Sequence, residues 1–355
     1  MRRSSPSSPD LSGWVRRARF TARSLGRIGW YGAHRYITGQ IDRRIGQDYP
    51  DYRIAPPQGL VPSERRILAD IAQLQASDLA NVEAGHYPLP DAEPGGLSDL
   101  LQKTRLFYAD VPDAAHRRRS ADEDTTQNTN EPYYHQDFHF QADGWMSEAS
   151  ARLYDFQVEV LFNGSAAAMR RQGLVPLAKL MRERDQRTLS FADIACGTGT
   201  MLREVQRAFP RLATIGIDVS EPYLRYGSRL AKRSRDRRFI AGLAEALPLG
   251  DESLDAASVV YLFHELPPDI RHKTAAEFGR VLKPGGLLVF IDTLQMGDEP
   301  DYDGLLELFP QLFREPYYAG FVNEDLAALF APHGLHIEEA WNAYVSRITV
   351  FRKDR

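Results

Sequence analysis

The chain has 355 residues, 43% of them hydrophobic, and a formal net charge of −4, a composition typical of a globular protein with one or two domains. A single cysteine excludes an internal disulfide framework and a cysteine-based zinc cluster, and it fits a reducing compartment, so we expect a cytoplasmic protein. No run of 18 or more apolar residues occurs, so the sequence predicts no membrane-spanning helix.

The charge is unevenly distributed. Residues 1–48 contain ten Arg and three Asp with no Lys or Glu, a net of +7, which leaves −11 on the rest of the chain. From Leu11 onward a helical period predicts one apolar face, formed by Leu11, Trp14, Val15, Ala18, Ala22, Leu25 and Gly29. The other face is predicted to carry Arg16, Arg19, Arg23 and Arg27.

This basic amphipathic N-terminal arm, residues 1–48, has three interpretations. Arg on one face and Trp or Leu on the other suits peripheral contact with an anionic membrane through residues 11–37. A helix docked on the body with solvated arginines fits equally well, and an Arg- and Ser-rich start also resembles an organellar transit peptide. The acidic remainder of the chain leads us to expect no nucleic-acid partner.

Residues 49–131 are predicted to form a helical extension. Ser63 is a good N-cap for one helix, and a second is expected over residues 97–108. Residues 110–131 are polar, charged and nearly free of large apolar groups, so we predict a mobile loop there.

Residues 132–186 begin with an aromatic segment, PYYHQDFHFQADGWMS. His135, Asp137 and His139 alternate in it and would share one face of an extended strand. Three closely spaced groups without a distant fourth are weak evidence for a metal, so none is expected; an acceptor pocket or structural packing remains. From Ser147 a helical pattern, predicted to be a lid, runs to about residue 184.

After residue 187 short apolar runs alternate with helical patterns, which predicts a Rossmann-like α/β fold. The expected sheet has seven strands, mostly parallel, with an antiparallel hairpin at the C-terminus. The predicted strands are 188–194, 212–217, 237–241, 255–261, 286–292, 336–344 and 346–352. The predicted helices are 199–209, 220–233, 267–282 and 323–332.

The stretch FADIACGTGT (191–200) is a strand followed by a glycine turn and a helix, a ligand-binding arrangement in open α/β sheets. The dinucleotide pattern G-x-G-x-x-G fails at Leu202, which argues against a diphosphate. Asp193 beside the turn suits a cationic ligand group, and Asp218, nineteen residues after Gly199, suits a ribose. A ribose, a positive charge and no phosphate describe S-adenosylmethionine (SAM). The lone Cys196 is then a small loop residue rather than a nucleophile.

The segments DIACGTG, GID, LAEALP, VVYLFHELP and LKPGG occur in the order and spacing of a known family. On the basis of these segments, residues 187–355 resemble class I SAM-dependent methyltransferases, within the group that includes the ubiquinone/menaquinone-biosynthesis C-methyltransferases. Residues 154–171 resemble the helical lid of that group. The resemblance implies cofactor-binding roles for Asp193, Ala195, Gly197, Gly199, Asp218, Val219, Ala244, Glu245 and Tyr261. Structural roles compete: a tight turn for the glycines, a helix cap for Asp218 and solvation for Glu245.

Methyl transfer requires alignment of donor and acceptor, and a carbon or phenol acceptor must also lose a proton. The catalytic candidates are His264, which follows the fourth strand, together with His135 and His139. The candidate substrate contacts are Tyr133, Tyr134, Asp137, Tyr317 and Tyr318. Packing is the competing role for each of them.

The sequence therefore predicts a SAM-dependent methyltransferase acting on a small aromatic or lipophilic molecule, at carbon or oxygen. A NAD-dependent oxidoreductase is the alternative enzyme class, disfavoured by the missing third glycine. A non-catalytic, methyltransferase-like binding protein is the alternative outside enzymes, disfavoured by the intact glycine loop.

Overall fold

The computed structural model describes residues 11–91, 96–120, 133–135, 146–230 and 237–355. A seven-stranded sheet forms its centre, in the order β3-β2-β1-β4-β5-β7-β6. The strands are β1 Ser190–Ile194, β2 Ala213–Asp218, β3 Arg237–Ala241, β4 Leu254–Val260, β5 Leu282–Thr293, β6 Leu335–Ala343 and β7 Ser346–Lys353.

The first five strands are parallel, and β7 pairs antiparallel with both β5 and β6. β1 and β4 are buried along almost their whole length, which explains their continuous apolar sequences. The predicted fold class is confirmed. Six strands lie within two residues of their predicted bounds, and β5 begins at Leu282, four residues early.

The helices of this α/β part are α7 Thr200–Ala208, α8 Glu221–Leu230, α9 Pro268–Val281, α10 Asp303–Phe313, α11 Tyr318–Phe321 and α12 Leu326–Phe330. Four of them match predicted helices. The sequence did not predict α10, in which Pro310 interrupts the helical pattern. A proline inside a helix removes a backbone hydrogen bond, so its presence argues against a helix even where packing retains one.

Within the described residues, six α-helices precede the sheet: α1 Leu11–Gly46, α2 Glu64–Glu83, α3 Gly96–Ser120, α4 Glu148–Leu161, α5 Ala166–Gln172 and α6 Leu174–Glu183. The predicted N-cap Ser63 is confirmed, because its hydroxyl accepts a hydrogen bond from a backbone N–H group in the first turn of α2. Ser147 caps α4 in the same way. None of the described helices has the length and apolar character needed to cross a membrane.

The prediction of a mobile loop over residues 110–131 is wrong for its first half, because α3 continues to Ser120; residues 121–131 lie outside the described part. Phe107, Val111 and Ala115 repeat every four residues and are buried. Phe107 and Val111 belong to a small apolar core that also contains Tyr31 of α1 and Phe156 of α4. Packing of this apolar stripe against α1 and α4 stabilises a helix that the polar composition of the segment did not predict.

The orientation of α1 also differs from the docked-helix interpretation. The helix packs on the body through Phe20 and Tyr31, on the side that carries arginines. Arg23 donates to the Pro90 carbonyl, and Arg27 pairs with the buried Glu159 at 3.0 Å. The predicted apolar face points outward, with Trp14 69% and Leu25 64% exposed. The arginines that the sequence assigned to solvent thus partly hold the helix in place.

Candidate functional site

A pocket opens where β1, β2 and β4 end, at the carboxyl edge of the sheet. Its wall contains seven of the nine predicted cofactor residues: Asp193, Ala195, Gly197, Asp218, Val219, Ala244 and Tyr261. Gly199 lies at the N-cap of α7 with a φ of +75°. Most of the residues predicted to bind a cofactor thus lie together around one pocket, and the glycine loop is its floor.

The turn from β1 to α7 requires left-handed backbone. Gly197 adopts φ +54°, and the neighbouring Ala195 has the same unusual value despite its Cβ. A Cβ on Gly197 would meet nothing closer than the Tyr223 ring at 3.8 Å, so a side chain there would occupy pocket space. Tyr261, across the pocket, is another non-glycine residue with positive φ, +56°. Strained backbone of this kind concentrates at binding sites.

Asp218 joins the two loops that flank the pocket. Its carboxylate accepts hydrogen bonds from the backbone N–H groups of Gly197 and Ser220, each at 2.8 Å. Because each carboxylate oxygen has two lone pairs, further bonds to a pair of ligand hydroxyls remain available. Ser220, rather than Asp218, precedes α8 and accepts from the Tyr223 N–H, as expected for a helix cap.

Asp193 is 1% exposed and accepts a hydrogen bond from the Ser258 hydroxyl at 2.6 Å. Burial raises the pKa of its carboxyl to about 7, with the Asp218 charge adding to the rise and the Ser258 hydrogen bond opposing it. An ionised carboxylate in this position is costly until a cation joins it. The pocket therefore favours a ligand with a positive group near Asp193.

Arg170 of α5 is a pocket residue that the sequence reasoning missed. It is 4% exposed, and its guanidinium lies over the Tyr261 ring, 5.8 Å from the centroid. Its Nη1 is 4.0 Å from the nearer Glu159 oxygen and has no hydrogen-bond partner among the described residues. A buried arginine in the wall of a pocket is suited to a ligand carboxylate. The only sequence signal was its place in the predicted lid.

Asp155 of α4 was also missed, and it fastens the lid to the glycine loop. Its carboxylate accepts from the hydroxyls of Thr198 and Thr200, and it forms an ion pair with Arg203 at 3.2 Å. These contacts connect the helix before the sheet to the first turn of α7. The lid and the loop are thus one hydrogen-bonded unit.

Tyr133 and Tyr134, predicted substrate contacts, lie in the pocket wall. The Tyr133 hydroxyl donates to Glu245 at 3.0 Å, so Glu245 holds the aromatic segment rather than lining the pocket itself. His135 is exposed at the end of this short turn. The other two groups of that segment, Asp137 and His139, lie outside the described residues.

His264 lies at the end of β4, next to the pocket. It is buried, and its Nδ1 is 2.6 Å from the Asp292 carboxylate at the end of β5. Burial opposes the charged imidazolium, but the Asp292 carboxylate, aided by Glu315 and Glu265, outweighs it and raises the pKa of His264 to about 9. Glu265, the next residue, lines the pocket.

Tyr317 and Tyr318 do not line the pocket. The Tyr318 ring is buried, stacks on Phe309 and touches His264 edge-on, with ring centroids 5.7 Å apart. Tyr317 contributes its carbonyl to the buried Arg271. Packing around the His264 region is therefore the role that the structure gives these two tyrosines.

Cys196 faces the same pocket but is buried. Burial, together with the charges of Asp218 and Asp193, raises the pKa of its thiol well above the ordinary value. A thiol that resists ionisation is a poor nucleophile, which agrees with its predicted role as a small loop residue.

SAM carries a ribose, an ammonium, a carboxylate and a sulfonium. The pocket offers Asp218 for the hydroxyls, Asp193 for the ammonium and Arg170 for the carboxylate, along a floor of backbone and small residues. The ribose, the ammonium and the carboxylate thus each have a complementary group in the wall. The residues present fit SAM, and these three groups account for buried charges that would otherwise be costly.

Residues 191–286 match the family model described as a methyltransferase domain. The chain is 37% identical over 102 residues to a demethylmenaquinone methyltransferase of Thermotoga maritima, covering 29% of this chain and 42% of that protein. It is 32% identical over 147 residues to the ubiquinone/menaquinone biosynthesis C-methyltransferase UbiE of Campylobacter jejuni, covering 40% of this chain and 59% of the relative. The matched region thus spans about half the length of these curated relatives.

Among solved structures, a sarcosine dimethylglycine methyltransferase assigned in Galdieria sulphuraria aligns with a TM-score of 0.42 and 15% identity. The alignment covers 53% of this chain and 86% of that one.

Proposed function

We propose that this chain, which carries a SAM-dependent methyltransferase domain of the class I type, transfers a methyl group to a small aromatic or lipophilic acceptor. The observation that carries the proposal is the pocket itself, where Asp193, Arg170 and Asp218 match the charged and hydroxyl groups of SAM. When bound, SAM supplies an electrophilic methyl group on a sulfonium.

The chain's residues have separate tasks in this proposal. Asp218 orients the ribose, and Asp193 and Arg170 hold the two charged ends of the amino-acid part. Tyr261, with its hydroxyl 2.7 Å from the Ser346 hydroxyl, forms a fixed aromatic wall between them and the end of β4. Alignment of this kind supplies much of the rate in a displacement reaction.

The acceptor is proposed to lie in the part of the pocket between Tyr133 and Tyr134 and the end of β4. Tyr133, Tyr134, Leu262 and Leu266 make this side of the pocket aromatic and apolar. The relatives that share the domain are named for quinone biosynthesis, which agrees with an aromatic, lipophilic acceptor. Glu265, which lines this side of the pocket, is the group placed to receive the acceptor's proton, and His264 lies behind it.

The test is transfer of labelled methyl from SAM to a lipid-soluble metabolite extract, followed by mass spectrometry of the labelled product. The account predicts a labelled aromatic or lipophilic product that requires Asp218. Label appearing only in polar amines or in nucleic acid would contradict the proposed acceptor class, and no SAM binding at all would contradict the whole proposal.

We also propose that the outward face of α1 contacts a membrane surface, where such an acceptor would reside. Trp14, Leu25 and Tyr36 are 69%, 64% and 65% exposed and share one uncharged face of the helix. Arg16 and Arg19, on the other side of the helix, are exposed and make no ion pair among the described residues. An exposed apolar face opposite arginines is the pattern of an interfacial helix.

Leu25→Glu should weaken sedimentation with vesicles of phosphatidylcholine and phosphatidylglycerol roughly tenfold or more, because it removes an exposed leucine that would enter the bilayer and adds a charge of the same sign as the lipid. The matched control is Leu68→Glu on α2, where the leucine is equally exposed, at 61%. Equal loss in both variants, or none in either, would contradict membrane contact through α1. Deleting α1 is a poorer test, because Phe20 and Tyr31 belong to the packed cores.

A further inference from the structure

Four ionisable side chains meet where β4 and β5 end: His264, Glu265, Asp292 and Glu315. We refer to them as the carboxylate–histidine cluster. They come from three separate segments, since Glu315 lies in the turn between α10 and α11. His264, Asp292 and Glu315 are 6%, 2% and 1% exposed. Three carboxylates and one imidazole thus share a largely water-free region.

The geometry of three of these groups is that of a ligand set. One ligand atom each from His264, Glu265 and Glu315 can be chosen so that all lie within 4.8 Å of one another. The His264 Nε2 is 3.8 Å from the nearer Glu265 oxygen. Ligand atoms around one shared ion, each about 2.0–2.2 Å from it, are roughly 3–4 Å apart, so small side-chain rotations would close the set.

The fourth member of the cluster orients the histidine. Asp292 is 2.6 Å from Nδ1 of His264 and also accepts from the Phe263 N–H at 2.9 Å, which fixes the carboxylate. This bond leaves Nε2 directed toward Glu265. A carboxylate behind the distal nitrogen is the usual support of a metal-binding histidine.

We propose that His264, Glu265 and Glu315 bind a divalent transition-metal cation such as Mn²⁺ or Zn²⁺. One imidazole and two carboxylates form a mixed nitrogen and oxygen set that suits these ions better than Ca²⁺. Since Glu265 lines the cofactor pocket, the open coordination positions would face the acceptor. Only the role of the ion in catalysis depends on the proposed function. In that function the ion would bind an oxygen of the acceptor and lower the pKa of the acceptor hydroxyl.

The full-length, EDTA-treated protein is titrated with Mn²⁺, and the paramagnetic resonance signal of the free ion reports how much has bound. Binding of Zn²⁺ is measured in parallel by calorimetry. We expect one ion per chain. Glu315→Gln should weaken binding on the order of tenfold or more. Asp269→Asn, which changes an exposed carboxylate paired with Lys273 on the nearby α9, should leave binding unchanged.

Thermal unfolding of each variant establishes that it is folded, and Glu265→Gln, at a partly exposed position, replaces Glu315→Gln if that variant is not. No stoichiometric binding of either ion by the wild type, or equal affinity in the wild type and the cluster variants, would overturn the proposal. SAM affinity is measured on the same samples, so loss of the cofactor site is distinguishable from absence of the metal.

Discussion

The two halves of the pocket differ in how the chain builds them. The cofactor half comes from β1, β2 and the turns that follow them, within about thirty residues of one another, and Asp218 links these turns directly through Gly197. The acceptor half brings together His264, Asp292 and Glu315, which come from three separate segments and span a longer stretch, from residue 264 to residue 315. The first half can be recognised from local spacing, whereas the second appears only when the sheet is assembled.

The largest expected effect comes from filling the cofactor half. Gly197→Ala should abolish measurable SAM binding, because the new Cβ enters the pocket on backbone with φ +54°. Gly285→Ala is the matched control: its φ is +74° and nothing lies within 4 Å of a new Cβ. Both variants should lose about 1–2 kcal/mol of stability from left-handed strain. Equal SAM affinity in the two variants, measured by calorimetry, would show that the glycine loop serves only the turn.

Removal of the acceptor-side histidine should separate chemistry from binding. His264→Asn should lower methyl transfer to the extract by roughly tenfold or more, because it removes the imidazole that contacts Glu265 and Asp292. SAM affinity should be nearly unchanged because His264 does not line the pocket. Parallel losses of transfer and SAM affinity would mean that the two halves are not independent. Transfer rate and SAM affinity are measured on the same preparation.

Arg170→Gln tests the contribution of the lid to the cofactor half. Loss of a charge-assisted hydrogen bond of about 1.5–3 kcal/mol should weaken SAM binding roughly tenfold to a hundredfold. Binding of 5′-methylthioadenosine, which lacks the carboxylate, should be the same in the variant and the wild type. If both ligands weaken together, Arg170 only supports the fold.

The pH dependence of SAM binding should report on Asp193. Its pKa is raised to about 7 in the free protein, so the carboxyl is already largely protonated at pH 6. The cationic amine favours the ionised form, so affinity should fall by up to about tenfold per pH unit as the pH drops below 7. Asp193→Asn should remove this dependence. If the SAM affinity of the wild type does not change between pH 5.5 and 7.5, the assignment of Asp193 is refuted.

The smallest effect is expected at Cys196. Cys196→Ala should retain most SAM binding and methyl transfer, since burial keeps the thiol protonated. A loss of about 1 kcal/mol in stability is expected from the smaller side chain. Loss of transfer with intact SAM binding would reinstate the cysteine as a reactive group.

The same contrast explains which residues the sequence could reveal. The alternation of strands and helices can be predicted from the spacing of apolar residues. Asp193, Gly197 and Asp218 can be predicted as site residues because they lie at strand ends and in the glycine turn. Arg170 and Asp155 lie in a helical pattern that predicts burial but not which pocket they face. Glu315 follows α10, a helix that the sequence does not predict because Pro310 lies inside it, so the position of Glu315 could not be predicted either. The apolar face of α1 was found, but its outward orientation depends on Arg27 and Glu159, distant partners that no local pattern joins.

Binding of SAM at this sheet edge can be measured by calorimetric titration of the full-length protein with SAM and with NAD. We expect one SAM per chain, displaced by S-adenosylhomocysteine and lost in Asp218→Ala, with no heat from NAD. Binding of NAD in place of SAM, or SAM affinity that survives Asp218→Ala unchanged, would contradict it.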